Sequence, residues 1–207
     1  MSWNNLSERW KNYFRQQLWL AQSMSKDANT KVGALIIDTE SRVVVVSGWN
    51  GSARGVLDTP ERNERPLKYL YTSHAEQSCL TNALRLGVRV NGLTMLCTLA
   101  SCAQCSASVI NSGIGELVTP EPDFNHPSCG EQYPHSVAMM KESGIQWVYD
   151  NSLNKQNDET CNEMAPSLPS RCTCSRGNSK GSKLPSSNYF ENSTCVENSN
   201  SVCDSKR

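Results

Sequence analysis

Two short segments of the 207-residue chain hold residue types whose spacing can do chemistry: His74-Ala75-Glu76 and Cys102-Ala103-Gln104-Cys105. On a helix, side chains at i and i+3 share a face, so Cys102 and Cys105 can direct two sulfurs at one point without strain. A histidine from a neighbouring helix start supplies a third donor. One imidazole and two thiolates suit Zn2+, and three protein ligands leave the fourth tetrahedral position open, as a catalytic site requires. Helix N-termini add positive partial charge that favours thiolate over thiol. Glu76 is surplus to a three-ligand set and is expected to carry protons, taking one from a water that zinc has acidified to a pKa near 7 and passing it to a leaving group. A redox Cys-x-x-Cys pair, or a structural zinc site with four ligands, has no use for that carboxylate.

Such a site must be held by elements that the apolar pattern places. Trp10, Phe14, Leu18 and Ala21 recur at helical spacing, and Asn5 three residues before Glu8 resembles a capping box, which predicts a helix from about Leu6 to Met24. Val32 to Ile37 and Val43 to Ser47 are β-branched runs separated by a polar turn, the pattern of a hairpin with buried strands. Helices are expected over His74 to Leu86, Cys102 to Asn111 and His135 to Glu142, stopped by Gly87, Gly113 and Gly144. Strands are expected over Leu93 to Leu99, Glu116 to Thr119 and Gln146 to Tyr149. This alternation predicts an α/β protein, a three-layer α/β/α sandwich around a central mixed sheet of about five strands. Ligand sites in such sheets gather at the carboxyl ends of strands.

Composition divides the chain. From Asn151 to Arg207, 57 residues include 12 Ser and 9 Asn but only 8 large apolar side chains, too few to offset the entropy of ordering the segment. The expected organisation is a domain over 1–150 and a disordered, Cys-containing tail over 151–207, whose Cys161, Cys172, Cys174, Cys195 and Cys203 have irregular spacing and no histidine partners. The domain carries 13 basic against 14 acidic residues, and the whole chain 20 against 20. That balance argues against a general nucleic-acid binder. No apolar run reaches the roughly 18 residues of a membrane span, and Trp3, Glu8 and Arg9 interrupt any export signal, so a cytoplasmic location is expected, with the ten cysteines reduced.

His-x-Glu followed by Cys-x-x-Cys resembles the signature of the zinc-dependent cytidine and deoxycytidylate deaminases, with Ser101 standing where that signature has proline. The resemblance narrows toward the deoxycytidylate branch through four stretches: Ser25-Lys26-Asp27-Ala28-Asn29-Thr30-Lys31-Val32-Gly33-Ala34, Gly48-Trp49-Asn50-Gly51, Lys68 through Glu76, and Cys102 through Gly113. It covers residues 10 to 150 and none of the tail. What it implies is a cytidine deaminase-like fold and hydrolytic conversion of dCMP to dUMP with release of ammonia, zinc being held by His74, Cys102 and Cys105 and protons moved by Glu76. It further implies that Asn50 holds the sugar hydroxyl, that the backbone at Ala75 and the segment from Thr98 to Ser101 shape the pyrimidine slot, and that the protein is a homo-oligomer. Some members respond to dCTP and dTTP.

A substrate phosphate needs a basic partner, and the polar segment from Gly48 to Thr72 offers Arg54, Arg62, Arg65 and Lys68. Arg65 and Lys68 are the expected contacts; interleaved with Asp58, Glu61 and Glu64, the four can equally form a solvated ion-pair face. His126 and Cys129 share a Pro-rich loop near His135, read as solvated rather than as a second metal site. Cys79 and Cys97 are expected in the core. Two other functions stay open: a deaminase of cytidine, tRNA or single-stranded nucleic acid, and a catalytically silent zinc-binding scaffold.

Overall fold

The computed structural model describes residues 1–154. Its elements are α1 (Glu8–Ser23), β1 (Gly33–Asp38), β2 (Val43–Trp49), β3 (Gly51–Ser52), α2 (Lys68–Tyr71), β4 (Thr72–Ser73), α3 (Ala75–Leu86), β5 (Thr94–Cys97), α4 (Ala103–Asn111), β6 (Glu116–Thr119), α5 (Tyr133–Ser143) and β7 (Gln146–Tyr149), with 3-10 turns at Trp3–Asn5, Pro60–Asn63, Gly130–Gln132 and Asn151–Leu153. A five-stranded sheet runs in the order β2-β1-β5-β6-β7. β1 is antiparallel to both β2 and β5, while β5, β6 and β7 are parallel. The expected mixed α/β/α sheet is therefore present.

Alternation along the strands builds the two cores. Ala34, Ile36, Met95, Cys97 and Leu117 face α3, α4 and α5, where they meet Ala75, Cys79, Ala83, Val109 and Met140. Their neighbours Leu35, Ile37, Leu96 and Val118 face α1 and meet Phe14, Leu18 and Ala21. A period of two in each strand thus feeds both faces of one sheet, and the i, i+4, i+7 stripe of α1 covers one of them. Cys79 and Cys97 are fully buried, as expected.

Three expectations need correction. Asn5 does not cap α1: it sits in the 3-10 turn, where its N–H donates to Ser2 O and that of Leu6 to Trp3 O, so the chain enters the helix at Ser7 instead. β2 is not a buried strand, because it is the sheet edge and Val43 is 51% exposed. Ordered packing also continues past residue 150, since Leu153 is buried against the α1 face and its carbonyl accepts from Trp19 Nε1 at 2.9 Å. The rest of the expected tail lies outside the described residues.

The segment after β2 is tied at both ends. β3 pairs antiparallel with β4, setting Gly51 opposite Ser73 and Ser52 opposite Thr72. That small ladder draws Asn50 to the start of α3 at Ala75, although 24 residues separate them in sequence. Gly48 makes the close approach possible, for a Cβ there would lie 2.4 Å from Cys79 N and 2.9 Å from Ala75 O, both backbone atoms of α3.

Candidate active site

His74 is the N-cap residue of α3 and Cys102 that of α4, with Cys105 in the first turn of α4. Helix starts need residues with extended backbone, and both have it, at ψ 159 and 169. The two N-termini converge. His74 Nδ1 lies 3.5 Å from Cys102 Sγ and 3.4 Å from Cys105 Sγ, and the three donor atoms all lie within 4.8 Å of one another. A tetrahedral zinc ion with ordinary bond lengths to nitrogen and sulfur would hold them about 3.6 Å apart. The spacing therefore fits the ion, and so does the donor chemistry. Among the described residues no other cluster of this kind exists.

The electrostatics suit a cation. Cys105 donates to Cys102, which lowers the pKa of Cys102 and raises that of Cys105, and the His74 ring lowers Cys102 further. The same contact with Cys102 raises His74, against the opposing effect of burial. Glu76, 4% exposed, opens the buried face of α3 beside them, and burial pushes its carboxyl above the ordinary range. A carboxyl so placed holds a proton more readily than an exposed one, which suits a proton carrier.

A cavity with about 110 Å3 of space for water-sized groups reaches these residues. Asn50, Arg65, Lys68, Ala75, Glu76, Leu99 and Ala100 are among the residues that line it. Asn50, Ala75, Arg65 and Lys68 thus line one cavity with His74 and Cys102, and of the segment Thr98 to Ser101 only Leu99 and Ala100 do. Of the four basic residues in the loop, Arg65 and Lys68 are brought to it. Arg54 bonds Asn82 instead, and Arg62 bonds Leu57 O and stacks on Tyr71 at 4.6 Å.

Asn50 does more than face the cavity. Its backbone N–H donates to Val32 O at 3.1 Å, and its Oδ1 accepts from Val32 N–H at 2.8 Å. Nδ2 donates to Thr30 O at 2.8 Å and to Asp27 Oδ2 at 3.2 Å. The side-chain amide thus clamps the segment from Asp27 to Val32 against the cavity, and only Oδ1 keeps accepting capacity for a ligand hydroxyl.

Several cavity residues were not foreseen in the sequence. Asp27 pairs with Lys68, and Tyr69 packs under Arg65 at 5.7 Å. The loop before α5 is largely exposed, as expected, but His126, Ser128 and Cys129 also line the cavity. It is tied down by Tyr133, buried beneath Phe124 and His126, and Arg65 Nη2 bonds Ser128 Oγ at 3.3 Å across the mouth. His126 Nδ1 accepts from the N–H groups of Ser128 and Cys129, so the neutral ring carries its proton on Nε2.

Comparison with known proteins agrees with this geometry. Residues 8–120 match the family described as cytidine and deoxycytidylate deaminase zinc-binding region. An uncharacterized deaminase from the luxG 3′ region of Aliivibrio fischeri is 34% identical over 139 residues, 67% of this chain and 91% of that protein. The deoxycytidylate deaminase of Mus musculus is 34% identical over 142 residues, covering 66% of this chain and 76% of the enzyme. That of Homo sapiens is 34% identical over 115 residues, and the match spans 63% of its length. The crystal structure of dCMP deaminase from the cyanophage S-TIM5, in complex with dCMP and dUMP, superposes with a TM-score of 0.57 at 17% identity over 70% of this chain and all of that one, a likeness of fold. The chain belongs to the cytidine and deoxycytidylate deaminase family, and its His74, Cys102 and Cys105 fit the zinc ion of that family's binding region.

Proposed function

We propose that this protein hydrolytically deaminates dCMP to dUMP and ammonia, with His74, Cys102 and Cys105 holding Zn2+ and Glu76 moving the protons. The observation that carries this reading is one cavity lined by the buried Glu76 carboxylate, by His74 and Cys102 of the three-donor constellation, and by Arg65. Zinc bound there would acidify a water and hold it for attack on the carbon that bears the exocyclic amine.

The chain's own residues supply the rest. Glu76 accepts the water proton and delivers it to the ring nitrogen next to the attacked carbon, then takes the proton of the newly added hydroxyl and gives it to the amine, which leaves as ammonia while that hydroxyl becomes the carbonyl. Burial keeps that carboxylate poised, because bulk water cannot compete for its protons. Ala75, Leu99 and Ala100 line the cavity with Glu76 and would pack against a pyrimidine ring held for attack. Asn50 Oδ1 can accept from a sugar hydroxyl. Arg65, with Ser128 and His126 beside it, faces the 5′-phosphate, and an arginine fork suits phosphate oxygens.

The luxG-region relative covers nearly the whole of its own length in the match, and several curated relatives are deoxycytidylate deaminases. The dUMP formed would feed a reaction that methylates the uracil ring toward dTMP. Reduced thiolates at the metal site suit the cytoplasm, and among the described residues no helix is long and apolar enough to cross a membrane. The proposal includes self-association into a homo-oligomer. Regulation by dCTP and dTTP is part of the same proposal.

The test is ammonia release from dCMP, CMP, deoxycytidine and a cytosine oligonucleotide, each with and without dCTP. The expected result is turnover of dCMP well above the other three. Preference for deoxycytidine or for the oligonucleotide would replace this reading with a nucleoside or polynucleotide deaminase, and no ammonia from any substrate would leave a zinc-binding scaffold.

A further inference from the structure

Asp27 sets a carboxylate against a cavity read as taking an anionic nucleotide, and its contacts show what that carboxylate does. It lines the cavity, yet its side chain is only 6% exposed and four donors converge on it. Oδ1 accepts from the N–H groups of Asn29 and Thr30 at 2.9 and 3.1 Å. Oδ2 accepts from Asn50 Nδ2 at 3.2 Å and pairs with Lys68 Nζ at 2.5 Å. An ionised carboxylate has about four lone-pair sites. Those of Asp27 are therefore all taken inside the protein, and none is left for a substrate hydroxyl.

We infer that Asp27 is a positioning residue that presents Asn50 to the sugar: it holds the side-chain amide with Nδ2 turned to Asp27 and Thr30, so that Oδ1 is the atom offered to a hydroxyl. This rests on the deaminase reading given above, and since dCMP has one free sugar hydroxyl, on C3′, that is the group concerned. The reversed amide would set Nδ2 against the Val32 N–H, and Oδ1 against Thr30 O and the Asp27 carboxylate, donor to donor and acceptor to acceptor. Of those partners Asp27 alone carries charge, and a bond to an ionised acceptor is roughly twice as strong as a neutral one. The same carboxylate oxygen reaches Lys68, three residues after Arg65. One side chain thus joins the sugar acceptor to the segment that carries the phosphate-facing arginine. Asparagine is no substitute, because an amide has one acceptor oxygen for four donors and its NH2 group would meet a donor whichever way it turned.

The experiment compares wild type, Asp27→Asn and Asp27→Ser on dCMP and on 2′,3′-dideoxycytidine monophosphate, which lacks the C3′ hydroxyl, with zinc content measured alongside. Asp27→Ser keeps an acceptor for the turn at Asn29 and Thr30 but removes the charge that Asn50 and Lys68 share, which separates the turn from the amide contact. The readout is the ratio of kcat/KM for the two nucleotides, which does not depend on how much of a preparation is folded. Wild type should favour dCMP about tenfold, the worth of one hydrogen bond. Both variants should fall to about twofold or less while keeping one zinc per chain. Where turnover is too slow to measure, the ratio of Kd values for dUMP and 2′,3′-dideoxyuridine monophosphate gives the same comparison. A wild-type ratio retained by either variant overturns the inference, as does a wild type that handles both nucleotides equally. A wild type inert toward dCMP would instead overturn the deaminase reading itself, which keeps the two failures apart.

Discussion

Lys68 Nζ lies 2.5 Å from Asp27 Oδ2, and both side chains are shielded, 12% and 6% exposed. The lysine charge is therefore matched inside the protein, and the Asp27 carboxylate in turn accepts from Asn50 and from the N–H groups of Asn29 and Thr30. Arg65 has no acidic partner among the ion pairs of the described residues, only the Ser128 hydroxyl and the Tyr69 ring. The two basic residues that line the cavity thus differ in kind. Arg65→Ala should raise KM for dCMP roughly 10- to 100-fold, the worth of a charged hydrogen bond, and leave deoxycytidine kinetics unchanged. Lys68→Ala should impair both substrates and lower Tm, because it strands a shielded carboxylate. Equal effects of Arg65→Ala on nucleotide and nucleoside would remove Arg65 from phosphate binding.

Gly48 and Gly51 bracket Asn50 but sit in different surroundings. A Cβ at 48 meets backbone atoms of α3 at 2.4–2.9 Å, whereas a Cβ at 51 meets nothing within 4 Å. Backbone cannot yield as a flexible side chain can, so Gly48→Ala has to push α3, and with it His74 and Glu76, away from β2. The expected cost is about 1–3 kcal/mol in stability, with a drop in kcat out of proportion to it, since a small displacement of a proton carrier weakens catalysis steeply. Gly51→Ala should be neutral in both thermal melts and steady-state rates. Matching behaviour of the two variants would mean that the β2–α3 approach does not position the site.

The elements and the chemistry were legible in the sequence to different depths. Cys102 and Cys105 share a helical turn, and His74 and Glu76 a helix start, so local spacing sufficed to find them. The sheet followed from β-branched runs, whereas the placing of Leu35 and Ile36 in opposite cores came only with the structure, since an unbroken apolar run does not show which side each residue faces. The Asp27–Lys68 pair was not visible, because 41 positions separate the two and only tertiary folding joins them. The wall formed by His126, Ser128 and Cys129 was hidden for a related reason: its apolar anchors, Phe124 and Tyr133, are single aromatics in a loop without periodicity. Asn5 misled because a serine two residues later begins the helix, and the 3-10 turn had already taken up the earlier N–H groups.

Zinc retention and turnover should separate when the site is dissected. His74→Ala and Cys102→Ser each remove one of three donors, and both should purify with far less than one zinc per chain by elemental analysis. Glu76→Ala should keep the metal and lose roughly 10²- to 10⁴-fold in kcat, the range for removal of a general acid–base group. A strong chelator should abolish wild-type activity and lower its Tm, because ligand binding to the native state adds to stability. Substantial turnover by Glu76→Ala would reassign the proton transfers, and full zinc in Cys102→Ser would reassign the ligands.

Acid should unfold the protein partly through Asp150. Burial pushes this carboxyl up, but bonds from Ser152 and from Trp3 Nε1 at 3.0 Å, and the charge of Arg15 at 3.3 Å, outweigh it and hold the pKa below the ordinary 3.8. Because the folded value is depressed, the group contributes stability that is fully present above the unfolded value near 4 and is lost as pH falls through the folded value. The wild-type Tm should therefore hold between pH 7 and about 5 and decline steeply below 4. Asp150→Asn keeps the shape of the side chain but weakens its clasp on Trp3 and Arg15. It should lower Tm at pH 7 by about 5 °C and show a shallower decline below pH 4, so that the two melting curves approach one another in acid. Curves that stay parallel from pH 7 to pH 3 would assign the acid lability to other carboxylates, with Asp27, held low by Lys68 and the backbone N–H groups of Thr30 and Asn29 against its own burial, the next to replace.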